Sequence, residues 1–273
     1  MSYLTVSDGT KIYYKDYGEG EAILFSHGLN GSHLNFKRII KEFEDDYRII
    51  CYDQRGHGYS DRSAMHMNVK ALGQDLNELI DFLDLTDINL FGHSMGGASI
   101  YSHVNQFGCG KLKRIIVSDM SPYMRNNDWK GGIGQGLWSD DDFMDDFDRI
   151  FDDVGNANWH ITKNLMNPSL ADVSNENEMI EMYRKGSDAF TMASLWFSLF
   201  KSDQRPAIDN ITVPFLYIKP DFALYSMDAI IYIKEHVKSD FILEDNFPDT
   251  IHAILNEKPH EVAECVKKFL KEY

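Results

Sequence analysis

The sequence has few cysteines and lacks a long apolar run, and these shortages exclude several classes of protein. Its 273 residues include three cysteines, Cys51, Cys109 and Cys265, with no CxxC pair. Such a set forms neither a disulfide framework nor a zinc site, so we expect these side chains to pack as small apolar groups. No stretch approaches the roughly 18 apolar residues of a membrane span. The N-terminus also lacks the pattern of a signal peptide, which predicts a soluble cytoplasmic protein.

Positive charge is also scarce. Lysine and arginine number 27 against 43 aspartates and glutamates, for a net charge of −16. A nucleic-acid-binding protein needs a basic surface for the phosphate backbone, so this balance argues against nucleic acid and disfavours anionic membranes. We attribute the acidic surplus to solubility rather than to a cationic substrate. With 43% hydrophobic residues, the chain has enough apolar material for a globular core.

Short apolar runs alternate with helical patterns along most of the chain. A hairpin is indicated around Asp8-Gly9, and the helical spacing of apolar residues is clear at 67–83, 95–107 and 260–271. Continuous apolar runs are typical of strands buried on both faces. The alternation therefore predicts an α/β fold with a mostly parallel central sheet. The predicted strands are 3–6, 11–17, 22–26, 47–52, 88–91, 112–118, 214–218 and 241–243.

Residues 121–207 interrupt this alternation, because they show no clear strand and contain all four tryptophans. We interpret them as a helical cap inserted between two strands of a core formed by 1–120 and 208–273. An insertion at the carboxyl ends of parallel strands would cover the place where ligands bind. The Asp-rich segment 140–153 lacks the glycine and terminal glutamate of a calcium loop. Its apolar spacing instead predicts an amphipathic helix with a charged outer face.

The strongest chemical motif is Gly92-His93-Ser94-Met95-Gly96, which fits G-x-S-x-G between an apolar strand and an apolar helix. In this context the serine sits on a sharp turn that exposes its hydroxyl, and the glycines leave room for the turn. Ser94 is therefore the candidate nucleophile. The backbone N–H of Met95 would point at the reaction centre and stabilise an oxyanion.

A second glycine-rich loop, Ser26-His27-Gly28-Leu29-Asn30-Gly31, follows the first buried strand. It can offer the N–H of Leu29 as the other donor of an oxyanion hole. We interpret His27 as a structural residue that holds the loop by hydrogen bonds.

In the segment 53–60, we expect an Asp53–Arg55 pair to fix the loop by charged hydrogen bonds.

Together these motifs resemble an α/β-hydrolase-fold enzyme of the carboxylesterase and non-haem-peroxidase-like branch. The resemblance covers nearly the whole chain and is weakest over 121–200. It depends on the His-Gly loop at 27–28, D-x-R-G-x-G-x-S at 53–60, G-H-S-M-G-G at 92–97, Asp203-Gln204-Arg205-Pro206, and a C-terminal histidine followed by E-x-P.

The resemblance also implies the base and the acid of a catalytic triad. His252 matches the histidine of H-x-x-x-x-E-x-P, although Ile251 replaces the usual preceding glycine. The acid usually follows the strand at 215–218, but Pro220 and Ala223 stand where glycine and aspartate are common. Some relatives carry the acid one strand earlier. We therefore predict Asp119 as the acid in preference to Asp221, with Asp119 hydrogen-bonded to His252; Asp228 and Asp249 are weaker candidates.

These residues predict a serine hydrolase that cleaves a small-molecule carboxylic ester through an acyl-enzyme, with the triad Ser94, Asp119 and His252. No cofactor and no metal are expected. The alternatives within the class are a thioesterase, a lactonase, a C–C hydrolase and a perhydrolase. From another class, the alternative is a ligand-binding protein that kept the fold without catalysis. The oligomeric state is left open.

Overall fold

The computed structural model describes residues 2–62, 65–166 and 175–273. Within these residues, eight strands form one sheet in the order β1-β2-β4-β3-β5-β6-β7-β8. β1 and β2 pair antiparallel, as does β2 with β4, and every later pair is parallel. This confirms the predicted mostly parallel sheet. The strands are β1 (Ser2–Thr5), β2 (Lys11–Tyr17), β3 (Ala22–Ser26), β4 (Arg48–Tyr52), β5 (Ile88–His93), β6 (Leu112–Ser118), β7 (Phe215–Ile218) and β8 (Phe241–Glu244).

The central strands form where continuous apolar runs are covered on both faces. All five residues of β3 are buried, and so are all four of β7. The sheet separates the core into two apolar layers, each covered by helices. One layer includes Leu24 and Leu90, and the other includes Phe25 and Ile116. Because β3, β5, β6 and β7 run parallel, their carboxyl ends meet at one edge of the sheet, and the loops that follow them can build a shared site.

The helices follow the predicted pattern with small shifts at their ends. α2 begins after Asn68, whose side chain accepts a hydrogen bond from Ala71 N, and α11 begins with Pro259, which fits the first turn of a helix. The sequence pattern missed α9. The helices are α1 (Lys37–Ile40), α2 (Val69–Phe82), α3 (Met95–Phe107), α4 (Asp140–Asp152), α5 (Val154–Ile161), α6 (Glu176–Gly186), α7 (Ala189–Lys201), α8 (Arg205–Ile208), α9 (Met227–His236), α10 (Ile254–Glu257) and α11 (Pro259–Glu272).

Helices α4 to α8 lie between β6 and β7 in the chain, where the sequence predicts the insertion. A π-helical turn, Thr162–Met166, follows α5. We refer to α4–α7 as the cap helices; the division into core and cap at 121 and 207 remains a prediction. In the described part of the chain, no helix is long and apolar enough to cross a membrane.

The Asp-rich segment forms the helix that its apolar spacing predicts. α4 begins at Ser139, whose side chain accepts a hydrogen bond from Asp142 N, and three aspartates occupy its first turn. Negative side chains are favourable there because they face the positive end of the helix dipole. One acidic residue of the segment, Asp146, lies on the buried side of the helix. Its side chain is fully buried, because it lies on the same face of α4 as Phe143 and Ile150.

Candidate active site

Ser94 occupies a strained turn between β5 and α3, with φ of 54° and ψ of −125°. The turn depends on its glycines. A Cβ on Gly92 would lie 2.6 Å from the backbone of Gly96, and a Cβ on Gly96 would lie 1.8 Å from Ser26 O. No side chain fits at either position, which explains the G-x-S-x-G spacing. Ser94 lines a cavity, next to the first residues of α3.

Asp119 and His252 are joined by a hydrogen bond at the same sheet edge. Asp119 directly follows β6 and is fully buried, and its Oδ2 accepts a hydrogen bond of 2.7 Å from His252 Nδ1. The same oxygen accepts a second bond, of 3.0 Å, from the backbone N–H of Leu224. With Nδ1 protonated and pointing to the carboxylate, the other ring nitrogen of His252 is left with a lone pair.

Asp221 takes part in a different interaction. Its Oδ2 accepts a hydrogen bond from Asp249 N, and its own N–H donates to Thr250 Oγ1. Asp221 and Asp249 therefore brace the loop that carries the histidine. The turn after β7 brings Leu224 N to Asp119, so this turn supports the carboxylate from one strand earlier.

The ring of His93 packs against that of His252, with a distance of 4.6 Å between ring centroids. Burial, together with the neighbouring His252, lowers the pKa of His93 well below its usual value. His93 therefore stays neutral beside His252. It adds no second positive charge when His252 takes up a proton, which makes it a compatible neighbour for a base.

Hydrogen bonds connect the two loops that carry Leu29 and Met95. The buried ring of His27 donates from Nδ1 to Gly28 O at 2.7 Å and accepts at Nε2 from Gln54 N at 3.0 Å. Gln54 also donates to His27 O and accepts from Ser99 Oγ, which lies 3.0 Å from Met95 O. The structural role expected for His27 agrees with these contacts. Leu29 and Met95 both line the cavity beside Ser94.

The expected ion pair between Asp53 and Arg55 is absent from the described structure. Arg55 instead forms two hydrogen bonds of 2.6 Å with the buried carboxylate of Asp75 on α2. Asp53 accepts bonds from the backbone and ring of His33 and from Tyr59 N. The sequence prediction was wrong because each of the two side chains has its partner on a distant segment, Asp75 for Arg55 and His33 for Asp53.

The cavity in front of Ser94 has a volume of about 250 Å³. One wall is apolar and comes partly from α7, where three residues at helical spacing line it: Met192, Trp196 and Leu199. A second wall is polar and uncharged, with Asn30, Asn158, Thr162 and Tyr183. Among the described residues, no lysine, arginine, aspartate or glutamate lines the cavity. Trp159 is buried elsewhere, where its indole N–H donates to Glu176.

Three non-glycine residues around the site have a positive φ: 56° at Asn30, 54° at Ser94 and 47° at Asp119. Each follows the carboxyl end of a parallel strand. Left-handed backbone of this kind costs roughly 1–2 kcal/mol for a residue with a Cβ, although Asn and Asp tolerate it better than others. Strained backbone thus occurs on three of the loops that build the site.

Sequence reasoning missed the polar wall. Asn30 lies inside a motif that it had identified, but its partner Asn158 is 128 residues away in the cap. Nothing in the local pattern of α5 distinguishes Asn158 from an ordinary polar position.

Comparison with known proteins agrees with this geometry. The family model of the alpha/beta hydrolase fold matches residues 21–147. The chain is 37% identical to a non-heme chloroperoxidase from Kitasatospora aureofaciens over 132 residues, 47% of each chain. It is 28% identical to a bifunctional esterase/perhydrolase from Acinetobacter calcoaceticus over 128 residues, 45% of this chain and 46% of that one. These matches span about half the length of either relative.

The structural likeness extends over the whole molecule. An esterase from Exiguobacterium antarcticum superposes with a TM-score of 0.85 at 20% identity, covering 99% of both chains. The protein therefore has the α/β-hydrolase fold. The relatives that it matches in sequence include a non-heme chloroperoxidase and an esterase/perhydrolase.

Proposed function

We propose that the protein is a serine hydrolase that cleaves carboxylic esters of small molecules. The observation that carries this proposal is the hydrogen bond between Asp119 and His252, formed at the rim of the same cavity that Ser94 lines. A hydroxyl nucleophile is activated by a nearby imidazole that a buried carboxylate orients. Asp119, His252 and the serine on the turn before α3 could form this arrangement. The esterases among the similar proteins support the same reaction.

In the acylation step, Ser94 Oγ attacks the carbonyl carbon of the ester and its proton passes to His252 Nε2. Asp119 stabilises the resulting imidazolium through the hydrogen bond to Nδ1. The C–O bond of the ester then breaks, and His252 returns the proton to the leaving alcohol. In the described residues no hydrogen bond joins Ser94 to His252; such bonds commonly tighten when substrate binds.

In the deacylation step, water attacks the acyl carbon while His252 takes its proton. The bond between the acyl carbon and Ser94 Oγ then breaks, His252 returns the proton to Ser94 Oγ, and the carboxylic acid leaves. Both steps place negative charge on the former carbonyl oxygen. The N–H groups of Leu29 and Met95 are the donors that we assign to it. Met95 is the first residue of α3, so its N–H belongs to the first turn and has no acceptor within the helix.

The uncharged lining of the cavity restricts the substrates. A charged group would lose its hydration on entering without gaining an ionic partner, which is costly. We therefore expect neutral esters, with a hydrocarbon portion against the Met192, Trp196 and Leu199 wall.

Ser94→Ala tests the mechanism directly. The variant should keep its fold and lose about 10³-fold or more of its turnover on p-nitrophenyl butyrate, because a triad without its nucleophile does not form the acyl-enzyme. A fluorophosphonate probe should label the wild type at Ser94 and leave the variant unlabelled. Near-normal turnover in the variant would refute Ser94 as the nucleophile. A wild type that neither labels nor hydrolyses esters would refute the proposal and favour a ligand-binding protein.

Perhydrolysis is a second candidate because the similar proteins include a chloroperoxidase and an esterase/perhydrolase. Hydrogen peroxide in place of water would attack the same acyl-enzyme and give a peroxy acid and free Ser94. Peroxy acid formation from an ester and hydrogen peroxide, measured against hydrolysis of the same ester, gives the ratio of the two activities. Its absence at high peroxide would leave hydrolysis alone.

A further inference from the structure

One cap residue is bonded to the loop that carries Leu29. Asn158 lies on α5, is 5% exposed, and lines the cavity. Its Oδ1 accepts a hydrogen bond from Asn30 Nδ2. Its amide nitrogen donates to Val154 O at 2.9 Å and to Ser187 Oγ at 3.2 Å. Asn158 is thus held within the cap by its nitrogen, while its oxygen reaches out of the cap to the core.

Asn30 is held on its other side by the core. Its backbone N–H donates to His57 Nε2 at 3.1 Å, and His57 Nδ1 donates to Arg55 O at 3.0 Å. Burial lowers the pKa of His57 to about 4, so the ring stays neutral and keeps Nε2 as an acceptor. Asn30 is therefore fixed at two points, and only the bond to Asn158 comes from the cap.

Leu29 lies between two anchored residues. Gly28 O accepts bonds from the His27 ring and from Gly31 N, and Asn30 is anchored as described. Asn30 also has a left-handed backbone, with φ of 56°. A residue in this conformation persists when its surroundings hold it there, and it relaxes when a holding contact is lost. The direction of the peptide N–H groups at 29 and 30 thus depends on the side-chain bond to Asn158.

We infer that Asn158 is a positioning residue, through which the cap sets the direction of the Leu29 N–H toward the oxyanion. The inference builds on the proposed function, because it concerns the donor that we assign to the reaction. Asn158 does not itself touch the reacting atoms in this scheme. Without its cap partner, the oxyanion loop would keep its core contacts but lose its alignment with Met95 N–H.

The test compares Asn158→Ala with Ser187→Ala, which removes the other side-chain bond of Asn158 and leaves Asn30 untouched. On p-nitrophenyl butyrate, Asn158→Ala should lower kcat about 10- to 100-fold with KM within about twofold, since the loss of one aligned oxyanion donor costs up to 10²–10³-fold. The inhibition constant of a trifluoromethyl ketone, which forms a tetrahedral adduct, should rise by a similar factor. Ser187→Ala should stay within about twofold of the wild type in all three measurements.

Asn30→Gly provides a second route to the same bond, in case Asn158→Ala folds poorly. Glycine adopts the positive φ freely, and the variant removes the donor without altering the cap. It should reproduce the loss of kcat, and the Asn30→Gly/Asn158→Ala double variant should be no worse than the more damaged single one. Additive losses would overturn the inference. So would a rise in KM at constant kcat, which would make Asn158 a substrate contact, or an equal loss in Ser187→Ala, which would make it a support of the cap.

Amide hydrogen exchange separates this inference from the proposed function. The amide hydrogens of segment 28–31 should exchange faster in Asn158→Ala than in the wild type. Their exchange rate should be unchanged in Ser187→Ala. Both results are expected whether or not the protein hydrolyses esters. Unchanged exchange in Asn158→Ala would overturn the inference even if Ser94 labels with fluorophosphonate. A wild type that does not label would instead refute the proposed function.

Discussion

At the scale of single residues, the acid that we propose for the triad is the carboxylate at the end of β6. Asp119 contacts His252 directly, whereas Asp221, the alternative from the sequence, contacts Asp249 and Thr250. Under the proposed mechanism, Asp119→Asn should lower kcat by orders of magnitude, because an amide can leave the imidazole in the wrong tautomer. Steady-state kinetics on a neutral ester measures this loss.

Asp221→Asn is the matched control for that variant, since it makes the same change in an aspartate that follows the neighbouring strand, β7. It should retain kcat within a few-fold and show at most a modest loss of thermal stability. The opposite ranking of the two variants would assign the acid to Asp221 and leave Asp119 as a turn residue.

Asp146 in α4 gives a prediction about stability. It is fully buried, its carboxylate lies 3.7 Å from the ring of His160, and burial raises its pKa to about 7. Burial lowers the pKa of His160, so that ring is not a permanent positive charge beside it. Arg149 opposes this rise and Asp142 and Asp145 add to it. When the pKa of an acid is higher in the folded protein than in the unfolded chain, the folded protein loses stability as the pH rises from the unfolded-state pKa to the folded-state pKa. The penalty is therefore absent near pH 4 and complete above pH 7.

Asp146→Asn should remove that penalty. At pH 8 we expect the free energy of unfolding to exceed that of the wild type by roughly 1–3 kcal/mol, and at pH 4 the two should be nearly equal. Urea unfolding at the two pH values measures the difference, with Asp148→Asn, an exposed aspartate of the same helix, as control. A gain that is the same at both pH values would point to packing rather than to ionisation.

At the scale of elements, α7 shapes the apolar wall while the neighbouring cap helix α5 holds a tryptophan away from it. Trp196 and Trp159 are both 4% exposed, but only Trp196 lines the cavity. Trp196→Phe should therefore improve hydrolysis of long-chain esters relative to acetate by about tenfold, because each added methylene in an apolar pocket is worth about that factor.

Trp159→Phe should leave the chain-length preference unchanged and lower only the melting temperature. Relative kcat/KM over a series of p-nitrophenyl esters from acetate to octanoate measures the preference for both variants. A shift of equal size in the two would mean that the cap affects the cavity through its overall stability.

The elements of the core could be predicted because each carries a local signal. Buried parallel strands show as apolar runs, and the strand-turn-helix around Ser94 needs glycines that the sequence displays. α9 was missed because its apolar residues, such as Ile230 and Ile233, follow the irregular turn after β7 without a clear start signal.

The helical period places Asp146 on the face of Phe143 and Ile150, although an aspartate there does not itself indicate burial. The Asn30–Asn158 bond depends on how distant segments pack, which no local period encodes.

At the scale of the whole molecule, the net charge of −16 and the uncharged cavity act in the same direction. A negative protein repels anionic substrates over about a Debye length, and salt screens that repulsion. For monoethyl succinate, kcat/KM should rise several-fold between 10 and 200 mM NaCl. For ethyl butyrate, a neutral ester of similar size, it should change less than twofold. Parallel salt dependence of the two esters would show that the charge does not act on substrate.

The sequence predicted the overall architecture better than it predicted the hydrogen bonds that hold the loops around the site. The alternation of strands and helices predicts the sheet, and the order of serine, aspartate and histidine follows from the strands that they terminate. The partners of Arg55 and Asp53 could not be assigned, because Asp75 and His33 reach them only once α2 and the loop after β3 have packed.

The strained backbone at Asn30, Ser94 and Asp119 has a consequence for laboratory evolution. Glycine at Asn30 or Ser94 would relieve a left-handed conformation, each with a gain on the order of 1 kcal/mol. A library selected for heat resistance alone would therefore accumulate glycines at these strand ends and drift toward robust but inert proteins. Selection for turnover would instead retain Asn30 and Ser94. Selection for stability and selection for activity would therefore favour different residues at the same edge of the sheet.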